Sequence, residues 1–257
     1  MQDRYAGDVG DFGKYGLLRL LSGLPGSETL SLGVVWCLVP CESHNKDGKH
    51  LGYLGKEQEY GKCYPPLLAS LRQMFGPRAS QGLERSIRAI ESSDILPAGT
   101  RFFSECLVYR PTMSIIERGV LKDQWLARAL DRTSNADIVF LDPDNGIECR
   151  SVSRGSLRAP KYVFWDDIAA FAEPNRRQSL VIYHHLSRVC DTVTQAANLQ
   201  REFATRFPHL TTSAVIYKRG TRRAFFVASH EAHRANLDVR LAKLFETRWS
   251  EHFLKVV

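Results

Sequence analysis

The segment that most constrains this fold is the apolar run 136–141 (ADIVFL), which ends abruptly at Asp142-Pro143-Asp144-Asn145-Gly146. A short apolar run bounded by turn residues reads as a strand covered on both faces, and proline, lacking an N–H, stops its hydrogen-bond ladder. Such a strand needs a layer on each side, and the remaining sequence supplies layers. Further strands are predicted over 30–39 (LSLGVVWCLV), 161–165 (KYVFW) and 179–183 (SLVIY). An antiparallel hairpin is predicted over 213–217 and 224–228. Helices are predicted over 14–21, 66–75, 83–92, 113–130, 167–172, 193–207 and 230–249, where apolar residues recur every three or four positions, as in Leu237, Leu241, Leu244, Phe245 and Trp249. Strands alternating with helices and closed by a hairpin predict an α/β fold in three layers, a mostly parallel sheet flanked by helices with a C-terminal antiparallel hairpin. No linker interrupts the pattern, so residues 1–257 read as a single domain.

Composition narrows the function classes. No stretch approaches the roughly 18 consecutive apolar residues of a membrane helix, and Met1-Gln2-Asp3-Arg4 opens a polar segment unlike a secretory signal, so no membrane partner and a cytoplasmic location are expected. The six cysteines are scattered without zinc-site spacing and read as free thiols. Thirty-five Lys and Arg against 28 Asp and Glu leave a formal charge of +7, which favours a polyanionic partner. The cations cluster in Lys218-Arg219-Gly220-Thr221-Arg222-Arg223 and in Arg150, Arg154, Arg158 and Lys161, both readable as phosphate-contact loops.

In open α/β sheets ligands lie beyond the carboxyl ends of the strands. There the chain places Asp142, Asp144 and Asn145; turn chemistry explains residues 144–146 but not Asp142 at the strand end. His184 and His185 end another strand, and since adjacent side chains point to opposite faces, one of the two is expected to face the site. Leu186-Ser187 follows them. The N-terminal Tyr5-Ala6-Gly7-Asp8-Val9-Gly10-Asp11-Phe12-Gly13-Lys14 reads as a loop before a helix starting near Lys14, its glycines permitting close approach to a ligand. Asp8 or Asp11 is either catalytic or a helix cap. Glu42, His44, Asp47 and His50 follow the first strand and form either a second wall or a solvated loop, without a diagnostic metal spacing. Tyr5, Trp36, Phe164 and Trp165 are candidates to stack a base, Trp165 foremost because it is placed at a strand end.

The strand-terminal Asp142-Pro143-Asp144-Asn145, followed by His184-His185-Leu186-Ser187, resembles the two active-site motifs of the uracil-DNA glycosylase superfamily. The resemblance implies that Asp142 or Asn145 handles water and that His184 or His185 stabilises the departing base. A looser likeness links this basic, carboxylate-rich chain to bacterial anti-phage DNA glycosylases that excise glucosylated cytosine. The Asp142-Pro143-Asp144-Asn145 turn and the strand, helix and hairpin order over 136–228 also resemble the end of class I S-adenosylmethionine-dependent methyltransferases. In that family a glycine-rich loop cradles the cofactor, and no strand here is followed by one.

N-glycosidic hydrolysis builds oxocarbenium character on the sugar and negative charge on the base, so it asks for a carboxylate, a placed water and donors toward the base. The expected activity is therefore a DNA glycosylase without metal or organic cofactor, acting on a flipped-out modified or non-standard base, with phage defence as a setting. Asp142, Asp144, Asn145, His184, His185, Asp8 and Asp11 are its candidate catalytic residues. Tyr5, Lys14, Glu42, Asp47, Trp165, Ser187, Arg219, Arg222 and Arg223 are its candidate binding residues. A methyltransferase, a nuclease holding magnesium on Asp8, Asp11, Glu42, Asp47, Asp142 and Asp144, and a non-enzymatic nucleic-acid module are the alternatives.

Overall fold

The structure, a computed structural model, describes residues 1–23, 28–42, 48, 50–77, 85–187 and 190–256. In these, β1 (Leu32–Val35), β2 (Arg101–Phe103), β3 (Ile138–Leu141), β6 (Ser179–His185), β7 (Thr211–Tyr217), β8 (Arg223–Ser229) and β9 (Phe253–Lys255) form one sheet. Its order is β2-β1-β3-β6-β8-β7-β9. The first four strands are parallel; β8 runs antiparallel between β6 and β7, and β9 pairs antiparallel with the outer side of β7. Two short strands, β4 (Gly146–Ile147) and β5 (Tyr162–Val163), pair with each other outside this sheet. The sequence reading of an α/β fold with a flanked, largely parallel sheet and a terminal hairpin is what the chain adopts.

Alternate residues of the central strands enter two separate cores, which is why those strands read as unbroken apolar runs. Val34, Phe140, Val181 and Phe225 pack under α1 (Val9–Ser22), α2 (Pro65–Phe75) and α7 (Glu231–Glu246), through Phe12, Leu68 and Leu237 among others. Val35, Val139, Leu141, Ile182 and Phe226 pack under α4 (Ile115–Arg132), α5 (Trp165–Phe171) and α6 (Thr192–Arg206), through Trp125, Ile168 and Phe203. A short helix α3 (Ile87–Glu91) completes the set.

Several expectations are corrected. The strand expected over 161–165 contributes only β5 to the small sheet, and Trp165 opens α5 instead of ending a strand. The first strand stops at Val35 because Cys37 takes a left-handed φ of 43° and turns the chain away. β6 continues through His185 by pairing with Ala224 and Arg223 of β8.

The N-terminal segment departs most from its reading as a loop. Asp8 caps α1, accepting from the Gly10 N–H at 2.6 Å, and the helix starts at Val9, five residues earlier than expected. The glycines at 10, 13 and 16 are spaced to share one helix face. A Cβ on them would lie 2.5 Å from Arg223 Cζ, 2.4 Å from the Tyr217 ring and 2.2 Å from the Trp249 ring. These glycines bring α1 against β7, β8 and the C-terminal segment; they are packing residues, and the helix pays for them in backbone entropy.

Gly13→Ala is therefore expected to destabilise the protein by about 1–3 kcal/mol through overpacking against Tyr217. Gly119→Ala, within α4 where a Cβ meets nothing within 4 Å, should stabilise it by up to about 1 kcal/mol. Urea unfolding midpoints of the two variants test the contrast.

Candidate functional site

The face of α1 opposite its glycines carries Asp11, Lys14 and Tyr15, and it meets the end of β3. Lys14 Nζ lies 2.7 Å from Asp11 Oδ1 and 2.8 Å from Asp142 Oδ2, with all three side chains buried. Asp11 Oδ2 also accepts from the Gly7 N–H at 2.8 Å and the Tyr15 hydroxyl at 2.9 Å. Burial works against the Lys14 ammonium, but the two carboxylates outweigh it and hold its pKa above the ordinary value. Burial also raises the Asp142 carboxyl, and this outweighs the opposing pull of Lys14. Asp142 is thus the weakened acid of the group and the one disposed to exchange a proton near neutrality.

The turn after β3 is held on both sides. The Asn145 N–H donates to Lys161 O at 2.9 Å, the His185 N–H donates to Asn145 O at 3.2 Å, and the Ile147 N–H donates to His184 Nδ1 at 3.0 Å. Gly146 sits at φ 111°, and a Cβ there would come within 2.5 Å of His184 Nδ1, so the turn requires glycine. Asp144 is secured from the side: its Oδ2 accepts from Gln2 Nε2 at 2.9 Å and lies 3.6 Å from Lys161 Nζ. Its Oδ1 is buried without a partner.

A cavity of about 420 Å³ opens where these elements converge, beyond the carboxyl ends of β3 and β6. Of the expected residues, Tyr5, Asp8, Asp11, Lys14, Asp142, Asp144, Asn145, His185, Ser187 and Arg223 line it. Tyr183 lines it too; two positions before His185 it shares that face of β6, and burial pushes its phenol up to about 12. The strand period that predicts a single inward histidine also points to Tyr183. Met1, His50 and Thr221 complete parts of the wall. Gln2 was not foreseen, since nothing local relates it to a residue 142 positions away.

Other candidates lie elsewhere. His184 turns off the cavity, accepting from Ile147 and packing edge-on to Phe226, and burial lowers its pKa to about 4. Trp165 is a core residue, 4.9 Å edge-on to Phe203, because its strand end became a helix start. Glu42 is outside the wall and bonds Lys161 and the Gln2 amide. Arg219 pairs with Glu59 at 2.8 Å and donates to His252, and exposed Arg222 donates to Thr192 Oγ1 at 2.8 Å. Arg223 is no surface cation: it is buried, donates to the carbonyls of Arg219 and Thr221, and lies 3.3 Å from Asp8. Arg154 is likewise taken up by Asp123 and Asp167. Clustering in sequence does not register such pairing. Asp47 and His44 lie outside the described residues. Among the described residues no group of three or more His, Cys, Asp or Glu is arranged to hold a metal.

No known protein family, curated protein or solved structure matches this chain.

The lowered pKa of His184 sets a pH dependence. The unfolded chain takes up this proton near 6.5 and the folded protein near 4, so between these values the unfolded state binds more protons and stability falls as pH falls. Urea midpoints measured from pH 7 to 4 should decline more steeply for the wild type than for His184→Gln, which keeps an acceptor for Ile147 but does not titrate.

Proposed function

We propose that this protein hydrolyses an N-glycosidic bond in nucleic acid, with the cavity beyond β3 and β6 as its active site. The observation that carries this reading is the buried Asp11-Lys14-Asp142 group set in one wall with Asp144, Asn145 and His185. The transition state is a cationic sugar leaving an anionic base, and the wall offers both complements. Asp8, Asp11, Asp142 and Asp144 oppose positive charge on the sugar, while Lys14 and the more exposed His185 are donors for the departing base. Asp142, with its raised pKa, is suited to take a proton from water, and the Lys14 ammonium beside it holds the resulting arrangement in place. The reading is supported by residue chemistry and placement together. The formal charge of +7 suits a nucleic-acid substrate, and a base reaching a recessed cavity has to leave its stack.

The methyltransferase reading is favoured by one specific feature, β8 lying antiparallel between β6 and β7 after a strand that ends in Asp-Pro. The cofactor's expected cradle does not fit. Beyond β1 stands Trp36, buried with its indole N–H on Glu91, and then Cys37, whose carbonyl accepts from the Met1 nitrogen at 3.0 Å. No glycine-rich loop opens space there, so no step is assigned to S-adenosylmethionine.

Asp142→Asn keeps the shape of the site but removes its proton acceptor. It is expected to cut abasic-site formation by about 10²- to 10⁴-fold while leaving DNA affinity nearly unchanged. Alkali-revealed strand breaks and filter-binding measurements on the same preparations test this, and undiminished base release by the variant contradicts the proposal.

A further inference from the structure

We propose that Asp144 Oδ1 reads an amino group on the ring held in the cavity, so that the site selects amino-bearing bases over their keto counterparts. This rests on the N-glycosidic reading only in taking the ligand to be a nucleobase.

The Asp144 side chain is 4% exposed, and its two oxygens are unlike. Oδ2 is committed to Gln2 Nε2 and to the neighbouring Lys161 ammonium. Oδ1 has no partner, although the residue forms part of the cavity wall. A buried acceptor left unsatisfied is costly, and a ligand that satisfies it gains selectively. Gln2 fixes which oxygen remains. Its Oε1 accepts from the Glu42 N–H at 3.0 Å, which orients the amide so that Nε2 is the end facing Asp144. The turn itself is tied to Lys161 and His185 through both backbone groups of Asn145, so Asp144 is presented from a fixed position.

A carboxylate only accepts. It pairs with an exocyclic amino group, as acidic side chains do with cytosine N4. A keto oxygen in the same place sets lone pair against lone pair. In deoxyuridine the ring N–H lies between two carbonyls, so approaching it brings those lone pairs against the carboxylate.

Asp144→Asn separates this role from a structural one. Gln2 Nε2 remains a donor and holds the amide oxygen where Oδ2 was, which places the amide NH2 where Oδ1 was. The acceptor becomes a donor with almost no change in shape. Calorimetry with 2′-deoxycytidine against 2′-deoxyuridine, and 2′-deoxyadenosine against 2′-deoxyinosine, reads the selection without any bond cleavage. In the wild type, at least one pair should favour the amino member by about tenfold or more. In Asp144→Asn that ratio should vanish or invert. Equal or keto-preferring binding by the wild type in both pairs, no binding of any of the four at millimolar concentration, or an unchanged ratio in the variant overturns the proposal. The wild-type ratio stands as a test even if the variant folds poorly. Loss of the ratio with base release intact defeats this inference alone, whereas a preserved ratio with no base release from any DNA defeats the N-glycosidic reading.

Discussion

The site depends on one buried cation, the Lys14 ammonium shared by Asp11 and Asp142. Two carboxylates withdrawn from water are tolerated only where a cation and further donors meet them, and here Gly7 and Tyr15 supply the donors for Asp11. The interaction joins residue 14 to residue 142 and so fastens α1 to the end of β3. The same helix is pressed on its other face against Arg223, Tyr217 and Trp249, where glycines remove every obstructing Cβ. Close packing on one side and a charge-shared bond on the other leave α1 no freedom to shift, and with it the cavity wall is positioned.

The electrostatics of the molecule divide between surface and cavity. The chain carries excess positive charge, while the cavity wall holds Asp8, Asp11, Asp142 and Asp144 against Lys14 and Arg223. A polyanion is drawn to such a protein, yet the recess favours developing positive charge. That is the distribution needed to hold a nucleic-acid backbone outside and stabilise a cationic sugar within. Not every cation is available for the first task, because Arg154, Arg219 and Arg223 are spent on internal partners.

What the sequence made legible was set by how local the governing physics is. The β3 strand and its Asp-Pro stop follow from neighbours in the chain, as does the single inward histidine of β6, and these placed the carboxylates and His185 near one edge. The edge strands β2 and β9, three residues each, were too short to show any period. The first turns of α1 were hidden because glycine is a poor helix former, and only the approach of Tyr217 and Trp249 explains its use there. Trp165 looked available until the short strand before it gave way to α5. Gln2 and the inward turn of Arg223 depend on partners more than 100 residues away, which no local pattern encodes.

The central claim is that the chain's own side chains suffice to release a base. It is tested most directly by incubating the purified protein, with no added cofactor, with DNA carrying modified and unmodified bases and identifying released bases by mass spectrometry. The account predicts a free base and a matching abasic site on at least one such DNA. Intact glycosidic bonds on all of them, together with methyl transfer when labelled S-adenosylmethionine is supplied, would contradict it.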